Sequence, residues 1–244
     1  MAKDDASKPA EPPKPVLLGG ESLLDRLLPH VKKILVGAIV LAVLLGTIFM
    51  FRSCNRAKQE RETAKVLTVL AAGRGPSAEP GTPADPIKNP GFANEKARAE
   101  KMLDEATKQG ATLEPEMRAS LLMDAGKLDE AIAEYRTCED GISTEAVLCR
   151  EGLGIAIETK ALAETDQGAK HKGLEEALAV FSRMQPADDG PRRSYAIYHQ
   201  GRIQLILGHK SEGKALLEKA KAIAPPKDPL QEAIDLRLIE LGSA

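Results

Sequence analysis

The stretch MDAGKLDEAIAEY, residues 123–135, decides the fold of this chain. It runs from the end of one amphipathic helix into the start of the next, and Gly126 marks the turn because glycine readily ends helices. In the second helix Tyr135 follows Ala131 at a spacing of four, which places a small and a large side chain on one face. Helices that cross closely need a small residue where their backbones meet. The stretch therefore predicts a helical hairpin that stacks on other hairpins.

The same spacing recurs in two more segments of the chain. The second helix of each predicted hairpin has a small residue, a large residue four positions later and a third packing residue three positions after that: Ala131, Tyr135 and Cys138; Ala177, Phe181 and Met184; Gly213, Leu217 and Ala220. The first helices have small residues of their own, at Ala119, Gly152 and Gly201. This set of positions resembles the tetratricopeptide (TPR) repeat, a two-helix unit with a period near 34 residues. The resemblance implies an all-α fold with a TPR-like α-solenoid of about three helix pairs.

Two further features belong to the same repeat region. Gly152 and Ala177 are separated by 25 residues, where the outer pairs are separated by 12, and the extra residues fall around Thr159–Lys172. They form either a lengthened hairpin or a loop, and a lengthening without special function is favoured. A last helix, starting at Asp228-Pro229 with an N-cap and a proline in its first turn, is expected to close the solenoid.

Composition agrees with stacked helices and narrows the function. Aromatic residues make up 3% of the chain and Trp is absent, which leaves little for a β-sandwich to pack with. The formal net charge of -2 does not favour a nucleic-acid partner. The sequence has no Gly-rich phosphate loop, no G-x-S-x-G elbow and no H-E-x-x-H motif, and its four histidines lack ligand spacing. We expect a protein that binds and is not an enzyme, without cofactor or metal.

Residues 34–51, ILVGAIVLAVLLGTIFMF, are an uncharged run that predicts a transmembrane helix. At 1.5 Å per residue the run covers about 27 Å, close to the roughly 30 Å of a bilayer's hydrocarbon core. A cleavable signal peptide is the alternative, but the preceding 33 residues are long for its charged region and no small-x-small cleavage site follows. An uncleaved anchor is therefore favoured. Lys and Arg lie on both sides, so charge alone does not set its orientation.

Small residues recur every four positions in this run, at Ala38, Ala42 and Gly46. Such a stripe can seat a partner helix. The alternative is that Ala and Gly are simply common in membrane spans.

The flanks of the run predict four more segments. Residues 1–20, rich in Lys, Ala and Pro, form a disordered tail, and residues 21–33 form an amphipathic juxtamembrane helix. That helix is expected to lie in the membrane interface, the alternative being a partner site. Residues 52–72 continue as a helical stalk, and residues 73–92, with five prolines and four glycines, form a flexible linker. The TPR-like domain then occupies residues 93–244.

The whole layout resembles the ancillary Sec-translocon TPR subunit family of bacterial inner membranes. The resemblance covers Glu21–Leu241 and is best in layout at Leu23–Ala72 and in residues at Arg193–Leu241. It implies a cytoplasmic N-terminus, one span of the inner membrane and a periplasmic repeat domain at the exit side of the translocon. The implied partners are Sec translocon subunits, periplasmic chaperones or secreted clients. A scaffold or assembly factor of the cell envelope, unrelated to secretion, is the alternative.

A peptide-binding groove is expected on the first helices of the hairpins, where TPR stacks usually bind extended or helical peptides. By register, the residues expected to face it are Ser120, Met123, Leu153, Tyr198 and Arg202. The alternative is that these surfaces serve only self-packing or dimerisation.

Cys138 and Cys149 are a candidate disulfide pair. They are expected on helices that pack across successive hairpins, and an oxidising periplasm would permit a disulfide between them. The alternative is that both are small apolar fillers.

Overall fold

The computed structural model describes residues 31–75 and 91–242, and within them every regular element is an α-helix and no strand forms. The helices are α1 Val31–Ala72, α2 Glu95–Gln109, α3 Pro115–Asp124, α4 Leu128–Tyr135, α5 Thr144–Ala163, α6 Gln167–Met184, α7 Arg193–Ile206, α8 Lys210–Ile223 and α9 Pro229–Gly242. The prediction of an all-α chain is confirmed for these residues. The predicted tail (1–20), most of the predicted juxtamembrane helix (21–33) and most of the predicted linker (73–92) lie outside them.

The chain divides into two compact units, residues 1–59 and residues 60–244. In the first unit the structure describes residues 31–59, the first part of α1. Its apolar stretch has a mean hydropathy of 2.8 and is 0% buried. The core helix of a soluble protein would be covered by other elements, so this exposure fits a helix in contact with lipid. Among the described residues, α1 is the one helix long and apolar enough to cross a membrane.

The second unit packs its helices in chain order. From α2 to α9 each helix contacts the next one along the chain, and α3 also contacts α5. Glycines make two short connections possible, the predicted turn at Gly126 and the turn at Gly208: their φ angles are 78° and 91°, in a left-handed region that residues with a Cβ rarely adopt. At the start of α2, Asn94 accepts a hydrogen bond from the Ala97 amide and so caps the helix.

The small residues lie where helices cross. A Cβ atom added to Gly213 in α8 would lie 2.9 Å from the carbonyl oxygen of Gly201 in α7, and one added to Gly201 would lie 3.1 Å from the carbonyl oxygen of Gly213. The two backbones therefore meet at this pair, and Leu217 is fully buried beside it. In α5 a Cβ atom on Gly152 would meet the ring of Tyr135, which is only 3% exposed. The spacing found in the sequence thus identified residues of the core.

The middle hairpin is longer because its helices are longer. α5 has 20 residues and α6 has 18, and only residues 164–166 separate them. The extra segment Thr159–Lys172 extends the end of α5 and the beginning of α6. It is therefore a lengthened hairpin and not a loop.

The packed unit begins earlier than residue 93. Val69, in the segment predicted as a stalk, is fully buried in a cluster with residues of α2 and α3. Lys65 reaches the end of α2, where its ammonium group donates a hydrogen bond to the Gly110 carbonyl oxygen at 3.3 Å. Residues 60–72 thus contribute to the core of the second unit.

The last helix, α9, packs one face against the rest of the unit. Leu230 and Ile234 are buried in the C-terminal cluster with Leu217 and Ala220 of α8. The Asp228 carboxylate accepts a hydrogen bond from the Leu230 amide, which is the cap expected from the Asp-Pro pair.

Candidate protein-binding face

The first helices of the three hairpins, α3, α5 and α7, were predicted to form the binding face. Seven polar side chains are buried among the described residues, and six of them lie on α5 and α7: Arg150, Glu151, Glu158, Ser194, His199 and Gln204. Burying a charge is costly unless it is paired and hydrogen-bonded. The contacts of these side chains therefore determine which part of the face is free to bind.

Glu151 is the centre of one cluster. Both of its carboxylate oxygens accept hydrogen bonds from Arg192, and its Oε1 lies 3.4 Å from Nε2 of His199. Burial by itself would raise the pKa of the Glu151 carboxyl, but the hydrogen bonds with His199 and Arg192 hold it below the ordinary value. Glu151 is therefore ionised at neutral pH although it is 8% exposed.

Arg192 reaches Glu151 from an unusual backbone conformation. It precedes α7 with φ of 64° and ψ of 19°, in the left-handed region that residues with a Cβ seldom occupy. Its guanidinium group lies 3.9 Å from the centre of the Tyr195 ring, an arrangement that favours the cation. The ion pair and the ring contact together hold this conformation.

Glu158 and Arg202 form the second cluster, two turns farther along α5. Two parallel hydrogen bonds of 2.5 Å join Nη1 to Oε1 and Nη2 to Oε2. Nη2 of Arg202 also lies 3.2 Å from Nδ1 of His199, whose ring stacks on Phe181 with the ring centres 4.5 Å apart. We call Glu151, Glu158, Arg192, His199 and Arg202 the ion-pair network. It joins α5 to α7 and matches two carboxylates with two guanidinium groups.

The structure separates the predicted groove residues into three groups. Tyr198 and Arg202 lie half-buried on α7, where Arg202 is already bound to Glu158. Ser120 and Met123 lie half-buried on α3. Leu153 is 1% exposed within the central core, so it does not face a ligand. Glu151 and Glu158 lie on the other side of α5 from Leu153 and contact His199 and Arg202 of α7.

Sequence reasoning missed the ion-pair network, although the chain carries a signal for it. Glu151 and Glu158 are seven residues apart, so they lie two helical turns apart on one face of α5. Their partners Arg192, His199 and Arg202 lie just before α7 or on it. Two acidic residues on one face of a first helix, followed by basic residues at the next first helix, would therefore have indicated pairing between the two.

A cleft between α2 and α3 remains accessible. Its volume is about 300 Å³ and its lining residues are Glu95, Arg98, Ala99, Met102, Glu116, Met117, Ser120, Leu121 and Asp124. Ala99, Met102 and Leu121 are buried and form an apolar floor. The rim carries three carboxylates and one guanidinium group, and that group is paired with Glu95 at 3.1 Å. The cleft therefore combines apolar surface with an excess of negative charge.

The pKa shifts around the cleft agree with this excess. Burial, and then the neighbouring charge of Glu95, raises the pKa of the Asp124 carboxyl above its usual range. Burial also raises the pKa of Tyr135 to about 12, and the charge of Glu116 adds to the effect. Burial is the larger cause of both shifts, and the carboxylates of Glu95 and Glu116 add to it, so a cation next to these carboxylates would be favourable.

The disulfide fixes the connection between α4 and α5. Cys138 and Cys149 are bonded, with their Cα atoms 5.8 Å apart. Next to the bond the buried Arg150 donates hydrogen bonds to three backbone carbonyls, those of Glu139, Gly141 and Met184. The third cysteine, Cys54, is free and exposed.

Among the described residues, no three His, Cys, Asp or Glu side chains form a group that could hold a metal ion. Comparisons of the chain with models of protein families, with characterised proteins and with solved structures find no match.

Proposed function

We propose that this chain is a membrane-anchored adaptor that binds segments of other proteins through a TPR-like domain. In this proposal α1 crosses the bacterial inner membrane, and residues 60–244 form the binding domain in the aqueous compartment next to that membrane. The observation that carries the proposal is the cleft between α2 and α3, which offers an apolar floor and unpaired carboxylates next to Ser120. Such a combination favours recognition of a polypeptide over chemistry on a small substrate.

The disulfide supports a periplasmic domain. Disulfides persist in oxidising compartments such as the bacterial periplasm and are rare in the cytosol. A bonded Cys138–Cys149 pair therefore favours a domain outside the cytoplasm. With a single span, the N-terminus would then be cytoplasmic.

The ligand that fits the cleft best is an extended segment with Lys or Arg next to apolar residues. Its cation would meet Asp124 and Glu116, and its apolar side chain would lie on Met102 and Leu121. Methionines suit such a task because their flexible, polarisable side chains adapt to different partners. The ion-pair network would hold α5 and α7 in place instead of contacting the ligand.

The site of action in this proposal is the exit side of the Sec translocon, where the partners would be translocon subunits, periplasmic chaperones or emerging envelope proteins. This part rests on the resemblance in layout and in the residues of the last hairpin. The alternative, a scaffold or assembly factor of the cell envelope, needs the same anchor and the same face.

In-cell crosslinking separates the two functions. The full-length protein is crosslinked, purified in mild detergent and its bound proteins are identified by mass spectrometry. A version with an unrelated span and the Asp124→Asn variant serve as controls for the anchor and the cleft. Enrichment of channel subunits and periplasmic chaperones over both controls supports the adaptor. A set dominated by cell-wall or division proteins, without the channel, overturns it and leaves the scaffold.

A further inference from the structure

The described part of the first unit, residues 31–59, carries positive charge and no acidic side chain. Residues 31–59 contain five cationic side chains, Lys32, Lys33, Arg52, Arg56 and Lys58, and no Asp or Glu. All five are exposed. Three of them follow directly after the apolar run. The acids that come next on the same helix are Glu60 and Glu62; Glu62 is paired with Lys65, and among the described residues neither acid forms an ion pair with Arg52, Arg56 or Lys58.

The helix geometry places these three cations at a definite depth. α1 continues without interruption from the apolar run through Lys58. At 1.5 Å per residue, Arg52 lies about 1.5 Å, Arg56 about 7.5 Å and Lys58 about 10.5 Å beyond Phe51 along the axis. The headgroup layer of one leaflet is roughly 5–8 Å thick. The two arginines therefore lie at the level of the lipid phosphates, and the long side chain of Lys58 reaches back to them.

The two arginines also share a face. Arg52 and Arg56 are four residues apart and line one groove of the helix with Phe51, Asn55 and Gln59. A guanidinium group offers a rigid fork of donors that matches a phosphate, and two on one face can bind a single phosphodiester together. The side-chain amides beside them add neutral hydrogen-bond donors.

We propose that Arg52, Arg56 and Lys58 form a binding site for the phosphodiester headgroups of anionic phospholipids. The site rests on one part of the proposed function, the crossing of the membrane by α1, and on no property of the cleft. It also gives a role to cations on the side that we propose to be periplasmic, where the positive-inside tendency would place few of them.

Cys54 provides a probe inside the site. It is exposed and free, while the other two cysteines are bonded to each other, so the unmodified full-length protein accepts one fluorophore there. The labelled protein is placed in nanodiscs that contain quencher-bearing phosphatidylglycerol or, in parallel, quencher-bearing phosphatidylcholine. Each cation near an anionic surface favours binding by a factor of about five. We expect the anionic lipid to be preferred at least fivefold in dilute salt, with the preference reduced in 0.5 M NaCl.

The variant R52Q/R56Q/K58Q should lose the preference, while the matched variant K32Q/K33Q, at the other end of the apolar run, should keep it. Equal quenching by both lipids in the unmodified protein overturns the site and leaves the anchor intact. Absence of quenching by either lipid overturns the site together with the span. Complete competition by a few millimolar inorganic phosphate also overturns the proposal, because the site would then bind free phosphate.

Discussion

Breaking the Glu158–Arg202 pair should be far more damaging than breaking a surface pair. The side chain of Glu158 is 4% exposed and that of Arg202 is 21% exposed, and two parallel hydrogen bonds join them. Arg202→Met removes the guanidinium group but keeps most of the apolar stem, which leaves a buried carboxylate without its partner. Losing one member of a buried pair costs about 3–5 kcal/mol. With a urea dependence of about 2 kcal/mol per molar, the unfolding midpoint should fall by roughly 1.5–2.5 M.

Urea unfolding of the full-length protein in detergent measures the shift of the unfolding midpoint. The chain has no Trp, and its three tyrosines, Tyr135, Tyr195 and Tyr198, all lie in the second unit, so tyrosine fluorescence follows that unit alone. The double replacement of Glu158 and Arg202 by methionine should recover most of the loss, because apolar residues of similar volume often replace a buried pair without cost.

The matched control is Arg237→Met. Its partner is Glu240 on the same helix, and their side chains are 47% and 66% exposed. Exposed pairs contribute about 0–1 kcal/mol, so this midpoint should barely change. A loss below about 0.5 kcal/mol for Arg202→Met, equal to the control, would refute the reasoning, since the pair would then be solvated like a surface pair.

Three other outcomes are expected. The pKa of the Glu151 carboxyl is lower in the folded state than its ordinary value. The pairing of Glu151 therefore stabilises the fold at pH values above the ordinary pKa, and this stabilisation is lost as the pH falls through the lowered pKa. Urea midpoints measured from pH 7 down to pH 3 should decline less steeply in Glu151→Gln. The disulfide between Cys138 and Cys149 closes a short loop, so its reduction should cost about 3 kcal/mol, with unchanged electrophoretic mobility on reduction arguing against the bond. A fluorescent peptide with Lys beside Leu should bind in low salt and weaken severalfold in Asp124→Asn but not in Glu232→Gln on α9; equal binding of a Glu-for-Lys peptide would contradict the acidic cleft.

The four-residue spacing of small and large residues was sufficient to predict which side chains of the hairpins are buried. Ala131 with Tyr135, and Gly213 with Leu217, are buried as their four-residue separation indicated. Periodicity succeeds here because the side of a helix that is apolar must be covered, whatever covers it. The same reasoning failed at Leu153. The central core around it contains residues of the hairpins before and after α5, and the periodicity of α5 alone does not show that a second side of the helix is covered.

The sequence by itself determined the local elements: the uncharged run of 34–51, the turn at Gly126, the Asp-Pro start of α9 and the positions where helices cross. These depend on backbone sterics and on residues within one or two turns of each other. Only the tertiary structure decided that Val69 belongs to the core, that Arg202 is bound to Glu158, and that an acidic, apolar-floored cleft lies between α2 and α3. The reason is that each of these depends on the distance between side chains far apart in sequence, which the packing of whole helices sets and no local pattern encodes.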